Sequence, residues 1–206
     1  MAQEPTLSAA QQTQLEKAAV EDLLETSCGS CHGASATRPP HSFAGTPSRY
    51  GTDPIVNIRD LDELIASGLI TPGFPENSPL LLLMASGQMP PTASGVPPVS
   101  GEDLRRVEKF IVRLDPPTRA EVLAILDRNC SACHNSGESD AVVAINDILD
   151  LGVLVAAGLI VPGDRDRSQL YTRVLDYEMP PQSSGMEPVS NHDLARLGGY
   201  IDLMPP

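Results

Sequence analysis

The sequence predicts an all-α fold built as two tandem helical domains, and three observations carry that prediction. Apolar residues recur at helical spacing through most of the chain, whereas strand-type alternation is hard to find. The length, 206 residues, suits two domains of about 100 residues each. The chain also repeats itself. Gly68-Leu69-Ile70-Thr71-Pro72-Gly73 returns as Gly158-Leu159-Ile160-Val161-Pro162-Gly163, an offset of 90 residues. The same offset carries Ser78 onto Ser168, Met89-Pro90-Pro91 onto Met179-Pro180-Pro181, and Pro98-Val99-Ser100 onto Pro188-Val189-Ser190. Asp115-Pro116-Pro117-Thr118 makes a short, stiff boundary, so the expected domains are residues 1–115 and 116–206.

Within each repeat the expected elements follow in order. Leu15, Ala19, Leu23 and Leu24 mark one face of a first helix, and Val122, Ile125 and Leu126 mark its counterpart. Each of these helices runs into a pair of cysteines. Short helices are expected at 60–67 and 150–157, then at 78–86 and 168–174. A last helix starts at Ser100 or Ser190. Each of these serines has an Asp three residues on, which resembles a capping box with Asp in place of Glu. Leu104, Val107 and Ile111 line its apolar face, as do Leu194, Leu197 and Ile201. The run Leu80-Leu81-Leu82-Leu83 reads as buried helix core. The cysteine pairs lie 102 residues apart, so the first repeat carries twelve extra residues. They are placed at about 36–50, where Pro39, Pro40, His41 and Pro47 read as loop.

Composition narrows the function classes. At 41% hydrophobic and 20% charged the chain is of ordinary globular make-up. Its longest apolar run, residues 80–85, is far short of the ~20 residues of a transmembrane helix. Only 3% of residues are aromatic and none is Trp. The core is therefore either purely aliphatic or completed by a flat apolar group from outside the sequence. A net charge of −13 argues against nucleic acid and for either a basic partner or a role in solubility. Ala2-Gln3-Glu4-Pro5 reads as the start of a mature exported chain behind an added Met.

The chemistry sits in the cysteines. Cys28-Gly29-Ser30-Cys31-His32 and Cys130-Ser131-Ala132-Cys133-His134 are both Cys-x-x-Cys-His, the pattern of covalent c-type haem attachment, and together they use every cysteine. Thiols at i and i+3 share one side of a helical turn and can bond the two vinyl groups on one edge of a macrocycle. The adjacent His32 or His134 then offers its imidazole to the iron. Three other readings stay open: a four-cysteine zinc site, a thioredoxin-like redox pair, which wants a βαβ context, and two small disulfides.

A second axial ligand is expected from a methionine, since Met with His raises the potential of a haem iron. Met89 and Met179 recur at matching places, each before two prolines that present the thioether from a stiff loop. Met84 aligns with Val174 and Met186 with Val96, so neither recurs. His41, in the insertion, is the alternative to Met89 at the first iron, and His192 reads as a surface residue at a helix start. No carboxylate pair, nucleophile–His constellation or phosphate-binding glycine loop stands out.

These motifs bring a family into view. Cys130–His134, Gly158-Leu159-Ile160-Val161-Pro162-Gly163-Asp164, Ser168, Met179-Pro180-Pro181 and the closing helix resemble the cytochrome c modules of planctomycetes and related bacteria. The first repeat matches less well, with Phe74 in place of Asp164 and the insertion besides. A looser likeness is to dihaem cytochromes of the c4 type. The resemblance implies two class I cytochrome c-like domains, each wrapped around one haem, with ligands His32 and Met89, then His134 and Met179. It implies an electron carrier with no catalytic residue, working between exported redox proteins. A dihaem peroxidase or a gas sensor with an open site at haem 1 is the alternative. The expected location is the periplasm or otherwise outside the cytoplasm, and the expected partners are redox proteins with basic surfaces. The chain stops at Met204-Pro205-Pro206, in register with the end of the first repeat, which leaves open a module cut from a larger redox protein.

Overall fold

The computed structural model describes residues 9–32, 57–134 and 147–205. The fold is all-helical, with no strand among the described residues. Two compact units divide the chain, Met1–Leu114 and Asp115–Pro206. The first holds α1 (Ala9–His32), α2 (Leu61–Ala66), α3 (Pro79–Ala85) and α4 (Gly101–Leu114). The second repeats the order with α5 (Arg119–His134), α6 (Leu151–Ala156), α7 (Gln169–Leu175) and α8 (Asn191–Leu203). The extra segment of the first repeat, His41 included, lies outside the described residues.

In each unit the long first helix and the short third helix pack on the last one: α1 and α3 on α4, α5 and α7 on α8. The buried stripe of α1 is Val20, Leu23 and Leu24, and that of α5 is Val122, Ile125 and Leu126. Steps of four residues continue both stripes into the first cysteine, Val20–Leu24–Cys28 and Val122–Leu126–Cys130, and both cysteines pack against the core of their unit. Leu15 departs from expectation and is 58% exposed. It stands five residues before Val20, about 140° around the helix, off the buried stripe, at the edge of an open groove beside Lys109 and Arg113 of α4. The neighbouring Glu16 accepts instead from Arg113 of α4 at 2.6 Å.

Both cores are aliphatic, with Phe110 and Tyr171 the aromatic members of the two clusters of buried residues. The short helices begin where Asp side chains accept orphan amides. Asp60 accepts from Glu63 N–H at 3.0 Å, and Asp150 accepts from Gly152 and Val153 N–H at 2.8 and 3.2 Å. Ser100 and Ser190 likewise accept from the amides of Asp103 and Asp193. The reciprocal half of the expected box is replaced. Asp103 accepts from the Ser100 hydroxyl at 2.8 Å, and Asp193 pairs with Arg128 at 2.8 Å. The Asp side chain, one methylene shorter than Glu, spends its carboxylate elsewhere. A true box stands where none was expected, at Thr118 and Glu121: Glu121 N–H donates to Thr118 Oγ1 at 3.2 Å, and Thr118 N–H donates to Glu121 Oε2 at 3.4 Å.

The repeated Pro-Gly turns and serines form one tie. Phe74 N–H donates to Thr71 O and Asp164 N–H to Val161 O, across turns whose third residues, Gly73 and Gly163, both have φ +79°. That left-handed corner suits glycine. The two glycine amides donate to Ile111 and Ile201 carbonyls, pinning each turn to the last helix. Ser78 and Ser168 are wholly buried. Ser78 Oγ accepts from Thr71 N–H at 3.0 Å and donates to Phe74 O at 2.9 Å. Ser168 Oγ accepts from Val161 N–H at 2.9 Å and donates to Asp164 O at 2.8 Å. Replacing either serine with Ala takes the side-chain acceptor from a part-buried amide, that of Thr71 or Val161, at an expected cost of about 1–3 kcal/mol. Urea denaturation of Ser78→Ala and Ser168→Ala checks this, and an unchanged midpoint would contradict the tie.

The two units differ in their buried charge. Arg196 in α8 is 4% exposed; its Nε and Nη2 donate to the two Glu121 carboxylate oxygens at 2.6 and 2.8 Å, and its Nη1 donates to Asp115 O at 2.8 Å. Asp202 is also buried, bridged to Arg165 at 3.0 Å and accepting the Arg165 amide at 3.0 Å. At the matching places of the first unit stand an exposed Arg106 and a buried Val112.

Candidate functional site

Each unit contains a cleft, and the chemistry-bearing residues of its repeat line it. In the first, Cys28, Cys31 and His32 from the end of α1 meet Met89, Pro90 and Pro91 across a cavity of about 670 Å³. In the second, Cys130, Cys133 and His134 from the end of α5 meet Met179, Pro180 and Pro181 across about 350 Å³.

Helix geometry explains one wall. The core stripe carries Cys28 and Cys130 inward, the second cysteine follows one turn later, and the histidine closes the helix. The opposite wall depends on the short third helix. Met89 N–H donates to Leu83 O at 3.1 Å and Met179 N–H to Arg173 O at 3.0 Å, which folds each methionine back beside α3 or α7. The peptide bonds Met89–Pro90 and Met179–Pro180 are cis. Pro91 and Pro181 are extended, with ψ near 140° (141° and 140°), and the chain beyond them returns to line the clefts with Ser94 and Val96, and with Met186 and Val189.

The Leu80–Leu83 run is not uniformly core. Leu80 and Leu81 are buried, Leu82 is 48% exposed, and Leu83 lines the cleft with Leu80 and Met84. The spacing of Leu80, Leu83 and Met84 is the i, i+3, i+4 stripe of one helix face, a signal that a run of four leucines hides. Met84 and Met186, set aside because they do not recur, each bring a second methionine to a cleft. Met186 stands where the first unit has Val96, and Val174 where it has Met84, so the pair of cleft methionines is kept while one position moves. His192 is exposed, at the second residue of α8.

The electrostatics suit a neutral, apolar occupant. Burial, and secondarily the neighbouring Cys31, pushes the Cys28 thiol up to about 11; burial and Cys133 do the same to Cys130. Burial lowers the pKa of His32, favouring the neutral imidazole. All four cysteines are free thiols. Among the described residues, no three His, Cys, Asp or Glu side chains gather as a metal-binding group. In both units the histidine Nδ1 is buried without a hydrogen-bond partner among the described residues. A buried polar atom left so is costly, and that it occurs at the same place twice marks the imidazoles as groups shaped for something in the cleft. Two thiols one helical turn apart, an imidazole beside them, a thioether opposite and aliphatic walls between form a donor set that fits a haem held by two thioether links. Comparison of the chain with protein-family models, with curated proteins and with solved structures finds no match.

Proposed function

We propose that the protein is a dihaem c-type cytochrome that passes electrons between redox partners outside the cytoplasm. One observation carries the reading: in each unit the Cys-x-x-Cys-His turn and the distant Met-Pro-Pro segment of the same repeat line one cleft. Cys28 and Cys31, then Cys130 and Cys133, would hold the two haems. His32 and His134 would ligate on one side, Met89 and Met179 on the other. A haem c there supplies a one-electron iron couple whose potential is set by axial ligands, burial and hydrogen bonding.

The chain's own residues do the rest. The apolar side chains beside each cleft, Leu80, Leu83 and Met84 in the first and Val174, Met186 and Val189 in the second, would lower the local dielectric around a haem, a setting that tunes potential. Met89 and Met179, lining the same clefts as His32 and His134, would supply a second ligand to each iron, and an iron so held would favour a carrier over a peroxidase or gas sensor. No helix among the described residues is long and apolar enough to cross a membrane.

Protein produced with covalent haem-attachment machinery will show two low-spin haems, oxidised and reduced, and no spectral change when carbon monoxide is added to the reduced form. High-spin haem or carbon monoxide binding at one iron overturns the carrier reading and brings the peroxidase or sensor alternative forward. A chain that matures without haem overturns the cytochrome reading as a whole.

A further inference from the structure

The link between the third helix and the axial methionine candidate follows the same backbone path in both units but is furnished differently. In the first unit it reads Ala85-Ser86-Gly87-Gln88-Met89, and in the second Leu175-Asp176-Tyr177-Glu178-Met179. Gly87 has φ +69°, and its amide donates to Met84 O. Tyr177 occupies the same corner with φ +59°, its amide donating to Val174 O. It is the one non-glycine residue with positive φ among those described. A tyrosine there holds strained backbone that glycine would not. Its side chain is given no packing in return, being 66% exposed, and Leu175 beside it is 46% exposed. Strain at such a place is a pointer to function.

The segment is also the rim of a cleft. Val174 before it and Met179 after it both line the second cavity, so residues 175–178 stand at its mouth. Asp176 and Glu178 are exposed, with Glu178 reached by Arg173 at 3.6 Å, and Glu187 is exposed next to the cleft residue Met186. In the first unit the stretch 82–100 contains no charged residue at all.

We propose that residues 175–178 are the docking surface of the second unit, and that the partner is a redox protein with a basic surface. Tyr177 and Leu175 supply an exposed apolar contact beside the site, and the acidic residues around them complement lysines and arginines on the partner. The overall charge of −13 supports the same sign of attraction at long range. The first unit, uncharged and small-residue at the matching rim, offers no such surface. The inference rests on the electron-carrier reading and adds where, and to what chemistry, the carrier docks.

The test uses the isotope-labelled holoprotein, reduced, with a lysine-rich monohaem cytochrome c as the basic probe. The expected result is amide shifts centred on residues 173–179 at low salt and erased at high salt. Tyr177→Gly copies the glycine of the first unit and removes the strain, so the fold survives. Combined with Leu175→Ala it should weaken the complex at least about fivefold while leaving both haem spectra unchanged. Shifts centred on residues 82–96, shifts insensitive to salt, no shifts, or undiminished affinity in the double variant each overturn the proposal. So does self-association through residues 175–178, which would assign this face to a second copy of the chain. Failure of the same sample to show two low-spin haems would instead sink the carrier reading and take this proposal with it.

Discussion

A chain with Cys130→Ala and Cys133→Ala, matured beside the parent, will hold half the parent's covalent haem. The Cys28→Ala/Cys31→Ala chain will hold the other half, and the fourfold variant none. On the cytochrome reading each thiol would add its sulfur and hydrogen across one vinyl group, so two links per unit would resist denaturation, whereas coordination by His134 and Met179 would not. Haem absorbance per denatured chain, together with intact mass, reads the result directly. The effect extends to stability. The clefts are lined largely by apolar side chains, and domains near 100 residues gain much from a covalent staple. The unit that has lost its haem will therefore unfold first, seen as early loss of amide protection in that unit alone. Unchanged haem content in either double variant would remove the basis of the cytochrome reading.

The second large effect belongs to Arg196. Its guanidinium is nearly inaccessible and neutralises Glu121 through two oxygens while also donating to the Asp115 carbonyl. Arg196→Ala takes the guanidinium from the Asp115 carbonyl and from a carboxylate that keeps the Thr118 amide at 3.4 Å, and breaking a buried pair from one side costs about 3–5 kcal/mol. Because the Glu121 side chain is 33% exposed, water screens the charge left behind, so the lower end, about 3 kcal/mol, is expected. Arg106→Ala, the matching change in the first unit, removes an exposed arginine paired to Glu102 and Asp103 and should cost less than about 1 kcal/mol. Hydrogen exchange followed by residue separates the units, and equal effects would show that Arg196 is not what holds the second.

The same pair sets a pH dependence. The Arg196 hydrogen bond, outweighing the opposing effect of burial, holds the Glu121 carboxyl below its ordinary 4.5. A carboxyl depressed in the folded state binds its proton more readily when unfolded. Its contribution to stability is therefore complete above the unfolded pKa and lost as pH falls through the folded one. Below about pH 4.5 the second unit should lose stability faster than the first, and Arg196→Ala should abolish that difference. A difference that survives the substitution would have to come from other carboxylates.

Much of the local structure was legible in the residues themselves. The helices after Asp60 and Asp150 begin where a short acidic side chain reaches an amide two or three positions on, and the last helices begin at Ser100 and Ser190 for the same reason. Repetition of Ser78 and Ser168 flagged a shared need, although not that the need was a buried hydrogen-bonded tie. Periodicity was less reliable where several faces of one helix are apolar. Leu15 and Leu82 fit helical patterns yet face solvent, because the pattern defines a face and only the neighbouring helix decides whether that face is covered.

The sequence by itself determined the helical class, the internal repeat and the grouping of Cys28, Cys31 and His32, and of Cys130, Cys133 and His134, on single helical turns. These are properties of residues within a few positions of one another, governed by local hydrogen bonding and the 3.6-residue period. The tertiary structure decided what lies opposite. Packing of α3 on α4 and of α7 on α8 brings Met89 and Met179 to the clefts, with Met84 and Met186 at positions that do not match between the units. It also buried Arg196 and Asp202 while leaving Tyr177 outside in a glycine's conformation. Each of these outcomes depends on contacts between segments far apart in the chain, where side-chain volume and desolvation, not local spacing, select the arrangement.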